Sequence, residues 1–497
     1  MLKIENDIGR IKHEVLYEVA KYAFAGEPEG GLEQMPYEMF PGPKPQFRCC
    51  IYKEREIIRE RIRLAQGKSP VAGKDNKNIV QVITSACEGC PITRFVVTDN
   101  CQKCMSKKCQ GACNFGAISM SRDRAYIDPS KCKECGKCSQ ACPYNAIADL
   151  MRPCKRSCPV DAISMDENGI VVIDEERCIN CGACIKDCPF GAISDRSFIV
   201  DVIRMLRAGI PVYAMVAPAI EGQFEDASVA DIAEAIRKLG FTDMYEVSLG
   251  ADLTAAGEAK EWAEAYAEGK KMTTSCCPAF VNMIKKHFPQ LLPNMSTTAS
   301  PMVAVARYIK AVHPDAMTVF IGPCVAKKGE VLDTITQHAA DYALTFDELF
   351  AMLRAKDIKV EASGLEQQQG SIYGRRFSQS GGVTKAVLQS LKETGENTNI
   401  QVKVCNGAAE CKKALMLLRA GKLPEDFIEG MACEGGCVNG PGAIAYGPAV
   451  MKARETSLAQ GDKRGVYENL QQFEVGSQDN MTLEKLTHPK HPRKFEQ

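Results

Sequence analysis

The 497-residue chain has one tryptophan, six histidines, no excess of either charge and no apolar run long enough to cross a bilayer. The balance of 62 Lys+Arg against 62 Asp+Glu argues against a generic nucleic-acid binder, which needs a basic surplus to meet phosphates. The longest uncharged apolar stretch, residues 208–220, is 13 residues with two prolines. A membrane helix needs about 20, so no membrane span is expected. Charges run through the first fifteen residues, unlike the apolar core of a secretory leader. A cytoplasmic location is therefore expected, where disulfides are rare. Histidine is scarce and never falls inside a cysteine cluster, which weakens a Cys/His zinc reading.

What the chain has in excess is cysteine, 25 in all: eighteen from Cys49 to Cys188, none until Cys276, and seven from there to Cys437. Without an export signal such thiols point to metal rather than to a disulfide scaffold. Residues 1–85 read as a charged, mostly helical region of unassigned role, in which Cys49 and Cys50 have none. Residues 86–196 contain a repeat: Cys113-Asn-Phe-Gly-Ala-Ile, Cys142-Pro-Tyr-Asn-Ala-Ile, Cys158-Pro-Val-Asp-Ala-Ile and Cys188-Pro-Phe-Gly-Ala-Ile. Units this short cannot each bury a core, so something other than apolar burial must hold them, and a bound cluster would do so.

Cys132-x2-Cys135-x2-Cys138-x3-Cys142-Pro143 has the spacing of a bacterial ferredoxin [4Fe–4S] motif, and Cys178-x2-Cys181-x2-Cys184-x3-Cys188-Pro189 repeats it. Three close thiolates wrap one cube, and the fourth reaches the partner cluster of a two-cluster fold. Cys101-x2-Cys104-x4-Cys109-x3-Cys113 is a looser variant. The third repeat keeps only Cys154 and Cys158, for which Cys87-x2-Cys90 can supply the missing ligands. This predicts two dicluster units. Cys101, Cys104, Cys109 and Cys142 form one set, and Cys132, Cys135, Cys138 and Cys113 a second. Cys178, Cys181, Cys184 and Cys158 form a third, and Cys87, Cys90, Cys154 and Cys188 a fourth. Free thiols are the alternative for Cys87, Cys90 and Cys154, leaving at least two clusters.

Residues 197–450 alternate strand and helix patterns, which predicts an α/β domain with a largely parallel sheet. Three cysteine loops punctuate it: Thr274-Ser275-Cys276-Cys277-Pro278, Gly322-Pro323-Cys324-Val325-Ala326-Lys327 and Met431-Ala432-Cys433-Glu434-Gly435-Gly436-Cys437. Cysteines at the C-terminal ends of strands can meet in one crevice. Residues 451–497 read as a polar extension without assigned chemistry. Buried thiols are the default for Cys405 and Cys411, and helix packing for Trp262.

These three loops, in this order, closely resemble the motifs of the [FeFe]-hydrogenases, with variant forms like the group B branch. The resemblance implies an α/β catalytic domain of two lobes around a buried metal cluster, preceded by α+β ferredoxin-like iron–sulfur domains. It implies the reaction 2H⁺ + 2e⁻ ⇌ H₂ at an H-cluster, a [4Fe–4S] cube joined to a diiron unit carrying CO, cyanide and azadithiolate. By motif match Cys277, Cys324, Cys433 and Cys437 hold the cube, with Cys437 bridging to the diiron unit. Lys327 offers its ammonium to cyanide, and Met431 and Pro218 line the site. Cys276 passes protons along a route through Glu261, Ser296 and Glu258. An arginine at the outer mouth of the family's route corresponds to Ala265. Gly322 stands where the family has methionine, and is expected to open space for water or gas; Phe280 stands for a tryptophan. Ferredoxin or a similar soluble carrier and the hydrogenase maturases are the implied partners. A hydrogen sensor, or a non-catalytic hydrogenase-like iron–sulfur protein, is the alternative function.

Overall fold

The computed structural model describes residues 7–27, 29–73, 77–87, 90, 93–224, 227–336, 338–364 and 367–488. Helix Asp7–Ala25 presents Ile11, Val15, Leu16 and Val19 at helical spacing. It buries that face against helices Ile51–Ala65, Ile199–Arg207 and Phe346–Ala355. The N-terminal helices are thus part of the catalytic body. A charged knot joins the parts: the Lys328 ammonium, fully buried, meets Asp195 at 2.6 Å and Glu348 at 2.8 Å, and Lys12 reaches Asp195 at 3.0 Å. Burial opposes ionisation of Asp195, but the two ammoniums override it and hold the carboxyl well below its usual range.

The cysteine-rich region is two ferredoxin-like units, one inserted in the other. In the outer unit Phe95–Val97 pairs with Ile147–Asp149 and Ile118–Met120 with Ala125–Ile127, all antiparallel. In the inner unit Ile163–Met165 pairs with Val171–Ile173, and Val80–Val82 closes onto Ile193–Asp195. The strand Val80–Val82 lies before residue 86, where the sequence reading began this region. The inner unit is therefore discontinuous, and its chain is interrupted by residues 93–150.

The α/β domain that follows has two parallel sheets. One runs Asp243–Glu246, Val212–Val216, Met317–Ile321, Tyr342–Leu344, and the other Met272–Thr273, Phe427–Met431, Val402–Asn406. Both send the loops after their strands toward one crevice, as open α/β sheets do. The lobes meet through helix Val247–Ala267, whose first three turns are buried and which packs on Pro301–Val312 and Gly382–Thr394.

The C-terminal region departs from the expected polar extension. Pro448–Gln460, Val466–Gln472 and Leu483–Thr487 are helices folded back on the domain, and they bury Arg454, Asn469 and Thr487 completely. Among the described residues no helix is long and apolar enough to cross a membrane.

Candidate metal centres

Each terminal cysteine of three repeats accepts a backbone N–H from the residue four positions on. Ala146 donates to Cys142 at 3.4 Å, Ala162 to Cys158 at 3.3 Å and Ala192 to Cys188 at 3.2 Å. Cys101, Cys104, Cys109 and Cys142 line one cavity, and Cys113, Cys132, Cys135 and Cys138 another. Cys178, Cys181 and Cys184 sit around Cys158. Cys154 lies within electrostatic reach of Cys188, Cys87 and Cys90. The insertion accounts for this last set: Cys87 and Cys90 precede the outer unit and Cys154 and Cys188 follow it, so folding closes a gap of more than 60 residues.

Burial pushes the Cys154 thiol up to about 11 and Cys181 to about 12. Thiols raised this far stay protonated at neutral pH unless a metal takes the proton's place. Among the described residues no three Cys, His, Asp or Glu are close enough to hold a single ion. Four thiols around a cavity suit a larger cluster, so the donor sets fit iron–sulfur cubes.

The three catalytic-domain loops and the Ala217-Pro218 turn enclose a cavity of about 90 Å³. Cys276, Cys277, Cys324, Cys433 and Cys437 line it with Pro218, Met431, Lys327 and Phe320, and Cys181 of the inner unit reaches the same wall. Cys277 is the extended residue before helix Pro278–His287, where a proline at the first position starts the helix. The Cys437 amide donates to the Ser378 carbonyl at 2.7 Å. That approach needs Gly436: at φ +97°, a Cβ would come within 2.4 Å of the Ser378 oxygen. Gly182, in the inner-unit motif, packs so close to Pro441 that a Cβ would lie 2.5 Å from its ring. Burial raises the thiols of Cys276, Cys324, Cys433 and Cys437, Cys324 to about 11. Around Cys437 it is opposed by the nearby charges of Lys327 and Arg454.

Gly322 opens no space. The Phe320 ring lies 2.5 Å and Ala217 3.0 Å from where its Cβ would be. An aromatic two residues earlier on the same strand fills the volume. The Lys327 ammonium is held by Ser300 at 2.9 Å and Glu330 at 2.5 Å, which leaves one of its three N–H bonds for the cavity it lines. A wider cavity of about 340 Å³ lies behind Ser275 and Ser300, but no cysteine lines it.

On one side of the site, Glu258 is fully buried and accepts from the Ser275 amide at 3.1 Å and from Ser296. Among the described residues, its Oε2 has no hydrogen-bond partner. Burial raises its carboxyl to about 8 despite these bonds, and it faces Cys276 electrostatically. Glu261, one turn on, closes on the Thr297 amide at 2.9 Å and on the Thr297 hydroxyl. Thr297 is thus a member of this chain that the sequence reading did not include. Trp262 stacks on Phe427 at 4.1 Å, and Cys405 and Cys411 are fully buried beside the site.

Sequence reading also missed Arg454. It has no apolar periodicity around it and no motif, only a place in a polar stretch. Fully buried, it donates to the Pro218 and Arg375 carbonyls and, at 3.0 Å, to the Ser378 hydroxyl, and it lies 3.4 Å from Glu221. It thereby braces both the Pro218 turn and the residue that holds Cys437.

Residues 210–441 match the iron only hydrogenase large subunit, C-terminal domain; residues 152–192 match a 4Fe-4S dicluster domain and 125–148 a 4Fe-4S binding domain. The chain is 31% identical to the periplasmic [Fe] hydrogenase large subunit of Nitratidesulfovibrio vulgaris, over 67% of this chain and 89% of that one. It is 29% identical to iron hydrogenase 1 of Clostridium pasteurianum, over 69% and 70%. It is 24% identical, over 48% and 62%, to a probable cytosolic Fe-S cluster assembly factor of Caenorhabditis elegans. With ferredoxin-like [4Fe–4S] domains placed ahead of a two-lobed catalytic domain, the chain belongs to the iron-only hydrogenase family.

Proposed function

We propose that this protein is a hydrogenase catalysing 2H⁺ + 2e⁻ ⇌ H₂ at an H-cluster, with electrons relayed through four accessory [4Fe–4S] clusters. One observation carries the reading: four thiols from three loops share a buried cavity with Cys276, which faces Glu258, and with Cys181 of the relay. When bound, the H-cluster supplies an open iron site and a bridging amine, at which the H–H bond forms or breaks. Cys277, Cys324, Cys433 and Cys437 would hold the cube, and Cys437, as a soft thiolate able to serve two metals, would also be a ligand of the diiron unit. Lys327 presents its remaining N–H to a cyanide. Met431, Pro218 and Phe320 keep water out. Cys276, Glu258, Ser296 and Glu261 hold and pass protons, a role suited to a thiol and to a carboxyl near 8. An assembly factor has no use for that proton chain, which favours the enzyme over the second reading. Ferredoxin or a similar carrier would meet the relay, maturases would insert the diiron unit, and the compartment would be the cytoplasm.

Infrared spectroscopy of the full chain matured with the diiron cofactor tests this, with H₂ turnover measured on the same sample. Carbonyl and cyanide bands with turnover are expected; bands without turnover would favour a sensor, and no bands would refute the enzyme. Iron analysis should find about 22 irons per chain, against about 14 for only two accessory clusters.

The relay is not uniform. Around Cys87, Cys90, Cys154 and Cys188, Arg61 is buried and donates to the Gly191 carbonyl at 2.6 Å, and Arg48 donates to the Ala86 carbonyl at 2.7 Å. The anionic group that Arg61 feels most strongly is Cys188. Positive charge near a cluster favours its reduced, more negative form. Arg61→Met is expected to lower that cluster's midpoint by about 60 mV, tenfold in its reduced-to-oxidised ratio. Redox titration followed by electron paramagnetic resonance reads the shift.

A further inference from the structure

The proton chain ends at Glu261, whose side chain is only 14% exposed, so something must connect it to solvent. Position 265, one turn on, is alanine and offers no proton donor. Among the described residues, the Glu261 carboxylate has one cationic partner, and it comes from the C-terminal region. His488 Nδ1 lies 3.7 Å from Glu261 Oε1, and its side chain is 32% exposed. The imidazole thus touches solvent on one side and the relay on the other. We propose that His488 is the proton-intake residue of this protein, passing protons between bulk water and Glu261. The inference rests on the hydrogenase reading of the site.

The placement is built, not incidental. Helix Leu483–Thr487 starts on a Thr482 side-chain cap, and the His488 amide closes its end on the Glu484 carbonyl at 2.9 Å. Arg307, from helix Pro301–Val312, holds the segment by donating to the carbonyls of His488 at 2.8 Å and Leu486 at 3.4 Å. The Ala299 amide, two residues beyond Thr297, donates to the Thr487 carbonyl at 2.5 Å. Thr487 itself is fully buried and packs against Gly257, the residue before Glu258. The tail is therefore anchored to the same helix and loop that carry the relay.

The chemistry suits the role. Imidazole changes charge near neutral pH and has two nitrogens, so one can take a proton from water while the other gives one up. In proton reduction the imidazolium transfers its Nδ1 proton to the Glu261 carboxylate, leaving neutral imidazole and a carboxylic acid, and water reprotonates the ring. Hydrogen oxidation runs the same transfer backwards. No electrons move. The gap is in ion-pair range, and about 1 Å of ring movement closes it to a hydrogen bond. Among the described residues, the charged groups facing the ring are Glu261 and, behind it, Glu258 on helix Val247–Ala267, and Arg307 on its own helix; Glu484 and Lys485 share the ring's helix.

The test uses the matured full chain. His488→Ala and His488→Gln should leave the carbonyl and cyanide bands and the melting temperature unchanged and lower turnover by about 10²-fold at neutral pH. Added imidazole should restore His488→Ala. Separately, ¹⁵N resonances of histidine-labelled protein without the diiron unit should show the His488 ring signals moving in Glu261→Gln, since Nδ1 faces that carboxylate at 3.7 Å. Unchanged turnover and pH profile in both variants would overturn the inference. So would a loss that imidazole does not repair, or His488 ring signals indifferent to Glu261. Wild-type protein that shows no bands refutes the hydrogenase reading, and this one with it; wild-type turnover beside an unaffected His488→Ala refutes this one alone.

Discussion

Glu258→Gln is expected to lower H₂ turnover by about 10²- to 10⁴-fold while the carbonyl and cyanide bands stay in place. Glutamine keeps the shape and can still accept from the Ser275 amide, but it cannot give up and regain a proton. The pH dependence follows from burial, which lifts the Glu258 carboxyl from 4.5 to about 8. At neutral pH the group is therefore a neutral acid, able to donate toward Cys276. As pH rises through about 8 it ionises, so proton reduction should fall there, and the direction that needs an acceptor should gain. The same shift affects stability. The unfolded chain ionises this carboxyl above 4.5 and the folded chain only near 8, so stability is lost as pH rises between the two. Glu258→Gln should flatten that loss. A turnover profile from pH 6 to 9, paired with melting curves over the same range, checks both; an unaltered profile in the variant would remove Glu258 from the proton path.

The second large effect is expected at Arg454. Arg454→Met removes the donors of the Pro218 and Arg375 carbonyls and of the Ser378 hydroxyl, and one of the two cations at Glu221. Breaking a buried ion pair costs about 3–5 kcal/mol. The lower end applies here, because Arg375 still meets Glu221 at 2.7 Å. The consequence for chemistry is of about the same size as for folding. Ser378 holds the Cys437 amide, and a misplacement of about 1 Å at a reacting centre costs about 10²-fold in rate. Broadened, shifted infrared bands and turnover reduced by about that factor are expected. Arg454→Lys keeps the charge but loses the fork, and should fall between the two. Sharp, unmoved bands in Arg454→Met would show that Cys437 is positioned without it.

How much was legible depended on how local each feature is. Cys132, Cys135 and Cys138 lie within seven residues, and so do Cys178, Cys181 and Cys184; such spacing is a property of the chain itself. The three catalytic loops were readable for the same reason, each being a short motif at a strand end. The fourth thiol set was reached only by counting, because the outer unit separates Cys87 and Cys90 from Cys154 and Cys188. Gly322 misled, since an absent side chain looks like space until the neighbouring Phe320 is placed. Arg454 and His488 were invisible: one charged residue in a polar stretch looks like solvated surface, and nothing nearby in sequence marks it for burial.

The sequence by itself determined the chemistry this protein can hold, because thiol spacing and strand-end motifs set the ligands within a few residues of each other. The tertiary structure alone decided how that chemistry is braced and supplied. It wraps the inner relay around the outer one, sets a buried guanidinium behind Cys437, and brings an imidazole from the chain's last described residue to Glu261. Those contacts join residues from 76 to more than 220 positions apart, where only the folded chain places one beside the other.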